Sequence, residues 1–472
     1  NLILAPGSQS FVIWKDIPVP VYLEVYFFNW TNPADIYNPD VKLRMPKFVE
    51  MGPYVFRWCM FEFMRTARKI VQQWNDDNNT VTFLQNKTWH FDPSLSDGSL
   101  DDIITTLNAP AVVRPVHKKK FIYTELFNKL NCFTGSSVFY TEPWPWLCLT
   151  QAFMLKKSVR ELTFEGYEDP LLELAAILPD SLLPTAIPFD KFGWFYTQLM
   201  MVCSTCTLEK GTFKFGKMAK WNYNNESRGY QFNCNYIKGS AGDLFPPNPK
   251  KDSISIFSTD ICRTITLHFK EKVISNGLTG YRYMGDEKML DNAVENTDAD
   301  LGKCPPKGMI DVSSCKWNAP AFVSFPHFYH ADPSYCRAVQ GMKPNKSIHE
   351  MYLDLEEKTG IPLQVEASMQ INLLLESHPE YRFLKDVPTI YFPMLWFKQR
   401  ARIDDSFIAQ LKVIKGISTA GYILLGVFIW LGFAVQIRGY LSYNKNEKNQ
   451  QFLPLSTGEH DKSTKKHDSS NL

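Results

Sequence analysis

The stretch KGISTAGYILLGVFIWLGFAVQIRGY constrains the chain most, because no charged side chain lies between Lys415 and Arg438. About 22 uncharged residues are enough for a helix that crosses the roughly 30 Å hydrocarbon core of a bilayer. The stretch is too long, and too late in the chain, to be the apolar region of a signal peptide. The sequence therefore predicts a transmembrane helix over residues 413–438. It also predicts a polar, unfolded tail over residues 439–472.

Residues 1–412 precede this helix and carry all ten cysteines of the chain. They also carry five N-x-S/T glycosylation acceptors, which are Asn29, Asn78, Asn86, Asn225 and Asn345. Clustered cysteines and acceptors on one side of the span are typical of an oxidising compartment. We therefore expect residues 1–412 to form one large extracellular or luminal domain, with the tail in the cytoplasm. The net charge of +2 gives no sign of nucleic-acid binding.

Hydrophobic periodicity predicts that this domain is mostly strand. PLQVEASMQINLLL (362–375) alternates apolar and polar residues, which predicts a long strand with one buried and one more solvated face. VYLEVYFFN (21–29) and RTITLHFKE (263–271) show the same period of two.

Fewer segments carry helix signals. Asp169 and Pro170 open PLLELAAIL, which Pro179 should end, and Asp101 opens DDIITTLN. Asp405 could begin a helix that continues into the span. Strands with scattered helices indicate an α+β domain around a large antiparallel sheet or barrel.

Several motifs in series carry a family resemblance. They are VYFFNWTNPADI, FVEMGPYVFRW, TVTFLQNKTWHFDPSLSDG, RELTFEGYEDPLL, GDLFPPNPKKDSISIFSTDICR, GMIDVSSCKWNAPAFVSFPHFYHADP, TGIPLQVEASMQINLL and TIYFPMLWF. In this order they resemble the class B scavenger receptors. That family includes fatty acid translocase, the high-density-lipoprotein receptor and the lysosomal integral membrane protein. PHFYHADPSYC and GMKPNKSIHE look most like insect members, such as croquemort and the sensory neuron membrane proteins.

The resemblance implies an irregular antiparallel β-barrel with an apolar tunnel and a helical bundle at its apex. It also implies a transmembrane helix at each end of the chain. NLILAPGSQSFVIW matches the stretch just after the first of these helices. The N-terminal helix is thus expected from the family but absent from this chain, for which truncation is the favoured explanation.

The resemblance further implies two disulfides, Cys262–Cys315 and Cys234–Cys304, whereas sequence alone allows three pairings of four cysteines. Cys336 has no implied partner. Cys203 and Cys206 form a C-x-x-C, which we interpret as a local loop feature rather than a redox pair or half of a zinc site.

Two regions are candidates for ligand binding by the same resemblance. The apex should include residues 132–160, where Trp144, Trp146, Lys156 and Lys157 would suit a lipoprotein or micelle surface. The alternative is that both tryptophans pack inside the bundle. Lys316 matches a lysine near the tunnel mouth that holds a fatty acid carboxylate, and Trp317 could line the entrance. The alternative for Lys316 is an ordinary surface lysine.

No catalytic signature, cofactor motif or metal site is predicted. His327 and His330 would point to opposite faces of a strand and could not share a metal. We expect a plasma-membrane receptor that binds lipids, fatty acids, lipoprotein particles or lipid carriers and passes apolar cargo through its tunnel. Such cargo includes sterols and carotenoids. Formation of a homo-oligomer is a further expectation. The alternatives are a lysosomal or endosomal sorting receptor for a luminal enzyme, and a sensory co-receptor that delivers lipid odorants to a channel.

Overall fold

The computed structural model describes residues 4–15, 19–58, 69–85, 88–112, 154–170, 172–173, 190–196, 204–210, 214–227, 235–275, 277–290, 307–316, 319–378 and 384–451. The chain divides into two compact units, Asn1–Asp404 and Asp405–Leu472.

The first unit is built mainly from strands. In chain order these are β1 (Val21–Trp30), β2 (Phe48–Trp58), β3 (Lys69–Asn75), β4 (Thr80–Gln85), β5 (Trp89–Phe91), β6 (Ile103–Leu107), β7 (Met154–Ser158), β8 (Tyr167–Glu168), β9 (Lys191–Phe192), β10 (Ser204–Glu209), β11 (Met218–Trp221), β12 (Ser253–Ser258), β13 (Arg263–Ser275), β14 (Leu278–Met284), β15 (Met309–Asp311), β16 (Ala321–Ser324), β17 (Tyr352–Glu356), β18 (Pro362–Leu375) and β19 (Ile390–Arg402).

The described α-helices of this unit are short. They are α1 (Gln9–Lys15), α2 (Ala109–Val112), α3 (Pro333–Ala338) and α4 (Lys346–His349). Single 3-10 turns lie at Pro33–Tyr37, Val41–Arg44, Ser313–Cys315 and Pro326–Phe328, and a π-helical turn lies at Glu161–Glu165.

Eleven strands form one central sheet, whose main path is β12-β13-β14-β17-β18-β19-β1-β2-β5. β16 pairs with β18 and β15 with β16, and the named strands of this sheet pair antiparallel. A separate four-stranded sheet runs β11-β10-β4-β3, and β6–β7 and β8–β9 are two-stranded. The three strands predicted from the period of two are present as β1, β13 and β18.

The predicted barrel closure is not found among these strands, because β12 and β5 end the central path without pairing with each other. The sheet is antiparallel and accompanied by few helices, as the α+β prediction requires. Closure into a barrel and the apolar tunnel stay predictions. Most of the predicted apex, up to residue 153, lies outside the described residues.

The face of β18 that carries the polar residues was predicted to be the more solvated one, but part of it is buried. Ser368, Gln370 and Asn372 are all fully buried. Gln370 donates from Nε2 to Asn372 Oδ1 at 2.7 Å, and Asn372 donates from Nδ2 to Ser324 Oγ at 3.0 Å. Because Gln370, Asn372 and Ser324 satisfy much of one another's hydrogen-bonding capacity, they can lie inside the fold. Ser368 Oγ is buried there with no hydrogen-bond partner among the described residues.

The helix predicted to open at Asp101 was wrong. Residues Ile103–Leu107 form β6, which pairs with β7, since β-branched isoleucine and threonine favour extended backbone. Asp101 does not cap a helix, and its Oδ1 accepts from Nε and Nη2 of the Arg160 guanidinium at 3.3 and 3.1 Å.

The helix signal at Asp169 is present at its start. The backbone N–H groups of Leu172 and Glu173 donate to the carbonyl oxygen of Asp169 at 2.9 and 3.1 Å. The predicted end at Pro179 lies outside the described residues.

The second unit contains α5 (Asp405–Gln451), which begins at the residue that the sequence predicted. Its most apolar part is a candidate membrane span over Ala420–Lys445, with a mean hydropathy of 2.0 and no buried residues in that window. This window overlaps the predicted span of 413–438. The domain boundaries drawn from the sequence stay predictions.

Candidate functional site

A disulfide joins Cys262, in the turn between β12 and β13, to Cys315 at the end of a 3-10 turn. This is the pairing that the family resemblance implies. Trp221 of β11 packs against the bridge. A bridge between residues 53 apart should stabilise the fold by about 2–4 kcal/mol, chiefly by limiting the unfolded chain. It holds the residue that follows it, Lys316, in a fixed place.

Lys316 is half-buried beside this bridge. Its backbone is fixed at both ends, because its N–H donates to the Ser313 carbonyl oxygen and its own carbonyl accepts from Ala319 N–H, both at 2.9 Å. Burial lowers the pKa of its ammonium group, and the carboxylate of Asp260 partly opposes that shift. Among the described residues, no carboxylate lies within ion-pair distance of the Lys316 ammonium.

A partly desolvated cation without an ion-pair partner can bind an anionic group that also leaves water. This geometry suits the carboxylate that the resemblance assigns to Lys316. An ordinary surface lysine would be solvated and would show no lowering of its pKa. The assignment of Lys316 to ligand binding stays a prediction.

Lys156 and Lys157 lie on β7, in the two-stranded sheet with β6, whereas Lys316 follows β15 of the central sheet. Lys157 pairs with Glu161 at 2.9 Å, and its Nζ lies 5.0 Å from the centre of the Tyr167 ring. Lys156 is exposed. The two neighbours therefore differ, and Lys156 is the better placed to meet a ligand.

Several predicted site residues lie outside the described part of the chain. They are Trp144, Trp146, Trp317, Asn86 and the pair Cys234–Cys304. Cys203 lies there as well. Cys206 belongs to β10, so the prediction of a loop was wrong for this half of the C-x-x-C. Among the described cysteines, Cys336 forms no disulfide, and burial raises the pKa of its thiol.

The predicted glycosylation acceptors occupy different environments. Asn78, Asn225 and Asn345 are exposed in turns or at a helix start. Asn29 lies in β1 between two paired strands, and its side-chain oxygen accepts from Thr105 N–H at 2.8 Å. Glycosylation stays a prediction at each acceptor.

Sequence reasoning missed a polar cluster around His327. His327 Nε2 lies 2.5 Å from Glu50 Oε2, and Trp396 Nε1 donates to the same oxygen at 2.7 Å. His327 Nδ1 accepts from Lys343 N–H at 3.0 Å, so the ring carries its proton on Nε2 and donates to Glu50. His349 stacks on the His327 ring with 4.6 Å between centroids. No local signal could have found this cluster, because Glu50 and His327 are 277 residues apart.

The environment of the cluster lowers the pKa values of two of its members, Glu50 and His349. Burial acts to raise the pKa of Glu50, but hydrogen bonds from His327 and Trp396 hold it below its ordinary value. Burial, aided by neighbouring His327, lowers the pKa of His349 to about 4. His327 and His330 lie in and after a 3-10 turn with positive φ rather than on a strand, which corrects the reasoning used for them. The described residues contain no group of three His, Cys, Asp or Glu side chains that could hold a metal.

Comparison with known proteins gives the family. A family model described as the CD36 family matches residues 1–442. The chain is 31% identical to Protein peste of Drosophila melanogaster over 443 residues, covering 91% of this chain and 74% of that protein.

Two mammalian relatives are similar over most of their length. Scavenger receptor class B member 1 of Bos taurus is 29% identical over 479 residues, covering 96% of this chain and 87% of the relative. Lysosome membrane protein 2 of Rattus norvegicus is 30% identical over 448 residues, covering 92% and 87%. With its antiparallel sheet, its Cys262–Cys315 bridge and its apolar C-terminal helix, the chain belongs to the CD36 family, the class B scavenger receptors.

Proposed function

We propose that this protein is a membrane receptor that binds lipids or lipoproteins and transfers their apolar cargo through a tunnel in its large domain. Membership of a family of receptors supports a receptor rather than an enzyme. The observation that carries the lipid assignment is the half-buried Lys316, whose ammonium has no carboxylate partner among the described residues.

The physical advantage of such a passage is large. Each CH₂ group of a fatty acid or sterol ester that remains in water costs about 0.8 kcal/mol. A lined conduit removes that cost along the route from a docked carrier to the bilayer. Transfer then runs down a concentration gradient and needs no catalytic residue. A cation at the entrance would select for fatty acids, because it binds their carboxylate.

The apolar helix α5 supports an anchor in the membrane, with residues 1–412 outside the cell or in a lumen and residues 439–472 in the cytoplasm. We place the protein at the plasma membrane. The similarity to lysosome membrane protein 2 favours a second candidate, a receptor of the lysosomal membrane that sorts a luminal enzyme.

Lys316→Ala tests the proposal directly. Cells expressing the full chain would be offered labelled fatty acids, and neutral carotenoids or sterol esters in parallel. Loss of a charge-assisted contact is expected to reduce fatty acid uptake by about tenfold or more at limiting concentration. Uptake of neutral lipids should change little. Lys270→Ala removes an exposed lysine elsewhere and serves as the matched control.

Two outcomes would contradict the proposal in different ways. An equal loss for both lipid classes would show that Lys316 does not bind the carboxylate. If cells gain no lipid uptake from the wild-type chain but retain a lysosomal enzyme, the sorting receptor is the correct assignment.

A further inference from the structure

The segment 341–350, which leads from α3 to β17 and contains α4, is held in place by hydrogen bonds to two histidine side chains. The Lys343 N–H donates to His327 Nδ1, and the Asn345 N–H donates to His349 Nδ1, both at 3.0 Å. The two rings stack with 4.6 Å between centroids and 9° between their planes. Each imidazole therefore accepts a main-chain hydrogen bond on the nitrogen that a proton would occupy in acid.

The ends of this segment are fixed by contacts that do not titrate. Before it, the Gln340 N–H donates to the Pro46 carbonyl at 2.8 Å, and the Gln340 carbonyl accepts from Phe48 N–H at 2.9 Å. After it, Met351 is buried, and its carbonyl accepts from Gly285 N–H at 2.9 Å. Loss of the two histidine contacts would therefore free the segment between these ends and leave the sheet in place.

His327 is constrained through its backbone as well as its ring. Its φ of 52° lies in the left-handed region, which is unfavourable for a residue with a side chain. Its N–H donates to the buried side-chain oxygen of Gln370 at 2.6 Å, and its carbonyl accepts from the Cys336 thiol at 3.6 Å. Its Nε2 donates to Glu50. Such a strained residue persists only where its surroundings fix it, and switch regions are among the places where it occurs.

The titratable groups that face the two rings come from β1, β2, β19 and α3. Burial acts to raise the pKa of Glu50 on β2, but hydrogen bonds from His327 and Trp396 hold that pKa below its ordinary value. Glu50 therefore keeps its negative charge while a histidine titrates. Lys398 of β19 has the opposite sign and disfavours a charge on His349.

The other groups near the rings do not hold the segment through the imidazoles. Tyr26 of β1 and Cys336 of α3 keep their protons in acid, because burial raises the pKa of each. The segment itself carries three charged residues, Lys343, Lys346 and Glu350. Glu350 pairs with Lys346 at 3.8 Å and accepts from the Tyr329 phenol. Protonation of Glu350 would weaken these two contacts but not the hydrogen bonds to the histidines.

Protonation reverses the role of each nitrogen that holds the segment. A neutral imidazole accepts at Nδ1, but an imidazolium carries an N–H group at both nitrogens. The main-chain N–H of Lys343 or Asn345 would then face another donor at 3.0 Å. Two charged rings stacked at 4.6 Å would also repel each other. Acid thus converts attractive contacts of the segment into repulsive ones.

We infer that the segment 341–350 is an acid-released strap, which is closed at neutral pH and detaches from the central sheet when the stacked histidines take up protons. In the closed strap, the ring of His349 covers His327 and lies 5.4 Å from the ring of Trp396. With the large domain outside the cell or in a lumen, the strap is closed at the cell surface and open in an acidified compartment. The inference rests on the proposed function only for the compartment in which the strap acts.

The direction and the size of the pH effect follow from His349. Burial, aided by His327, lowers its pKa to about 4 in the closed strap, whereas a released side chain has the ordinary value of 6.5. The released form therefore binds the proton more tightly. The closed form is favoured above pH 6.5 and becomes less favoured as the pH falls from 6.5 towards 4. The ratio of released to closed strap should rise on the order of fiftyfold between pH 7 and pH 4.5.

Hydrogen–deuterium exchange of the full chain in nanodiscs, read by mass spectrometry, measures the strap directly. Exchange is compared at pH 7 and pH 4.5 after correction for the intrinsic pH dependence of amide exchange. In the wild-type chain, peptides that cover residues 341–350 should lose protection on the order of fiftyfold in acid. Peptides that cover β18 and β19 should keep their protection.

Two variants at His349 assign the effect to its ring. His349→Gln keeps an acceptor for the Asn345 N–H but does not titrate, so the strap should stay closed at pH 4.5. His349→Phe keeps a flat ring without an acceptor, so protection should fall already at pH 7 and change little in acid. The matched controls are Glu350→Gln, which removes the neighbouring carboxylate, and His90→Gln, which removes an exposed histidine on β5. Both controls should respond to acid like the wild-type chain.

Several results would overturn the inference. One is equal corrected protection of the wild-type strap at both pH values, and another is loss of protection in β18 and β19 together with the strap. A third is release of the strap in His349→Gln as in the wild-type chain. A fourth is a wild-type response that Glu350→Gln abolishes, because the carboxylate would then be the switch. If the strap opens as expected while the chain transfers no lipid, the proposed transfer function fails alone.

Discussion

Two lysines in the first unit both have desolvated ammonium groups, but only one of them is paired with a carboxylate. Lys69, at the start of β3, has a side chain that is 1% exposed, pairs with Asp243 at 2.7 Å and donates to the Trp14 carbonyl at 2.8 Å. Lys316 is half-buried, and no carboxylate lies within ion-pair distance of it among the described residues. The first cation is satisfied by the protein and joins α1 to β3. The second has no carboxylate partner among the described residues.

The difference teaches how the surroundings of a desolvated charge decide its effect on stability. A buried ion pair has its partners already, so removing one of them leaves the other unsatisfied. A partly desolvated cation without a carboxylate partner costs stability, because burial disfavours its charged form. The comparison predicts that the same substitution lowers stability at Lys69 but does not lower it at Lys316.

Lys69→Met is expected to have the largest effect. It leaves the carboxylate of Asp243 and the Trp14 carbonyl without their donor, which should lower the free energy of unfolding by about 3–5 kcal/mol. The measurement is thermal or denaturant unfolding of the full-length chain in detergent.

The double variant Lys69→Met/Asp243→Asn sharpens this result, because it removes both charges together. It should recover most of the lost stability. If the double variant is as unstable as the single one, the ion pair is not the reason why Lys69 is needed.

The next largest effect on stability should come from the cluster around His327. We expect it as a dependence of the free energy of unfolding on pH. The pKa of His349 is about 4 in the fold, below its ordinary value of 6.5, so the unfolded chain binds the proton more tightly. Stability is then full above pH 6.5 and is lost as the pH falls from 6.5 towards 4. The loss attributable to His349 should be about 3 kcal/mol.

His349→Gln tests this origin, because an amide can still accept from Asn345 N–H, as His349 Nδ1 does at 3.0 Å. Unfolding of the variant should depend less on pH between 6.5 and 4 than unfolding of the wild-type chain. An unchanged pH profile would mean that other groups govern the acid sensitivity, such as His330, whose pKa burial also lowers.

Lys316→Met should have the smallest effect on stability. Its lowered pKa means that the unfolded chain holds the proton more tightly, so the charged form costs stability at neutral pH. For the wild-type chain, the free energy of unfolding should rise as the pH approaches the ordinary lysine value from below. The variant should unfold at the same temperature as the wild-type chain, or slightly above it, at neutral pH. If Lys316→Met lost as much stability as Lys69→Met, the difference drawn between the two lysines would be contradicted.

Local patterns predicted the long strands and the start of α5 because the evidence for them lies within a few residues. The same kind of pattern failed at Asp101, where β-branched residues and pairing with β7 prevail over a capping signal. It also failed for the polar face of β18. Alternation indicates which residues share a face, but not whether another layer covers that face.

The sequence by itself determined the apolar C-terminal helix, the antiparallel character of the large domain and, through its motifs, the family and the Cys262–Cys315 pair. Only the tertiary structure decided that Lys69 is paired while Lys316 is not, and that Glu50, His327 and Trp396 form one cluster. The physical reason is distance along the chain. Periodicity and caps depend on neighbours, whereas desolvation and hydrogen bonding depend on whichever residues the fold brings together, here up to 346 positions apart.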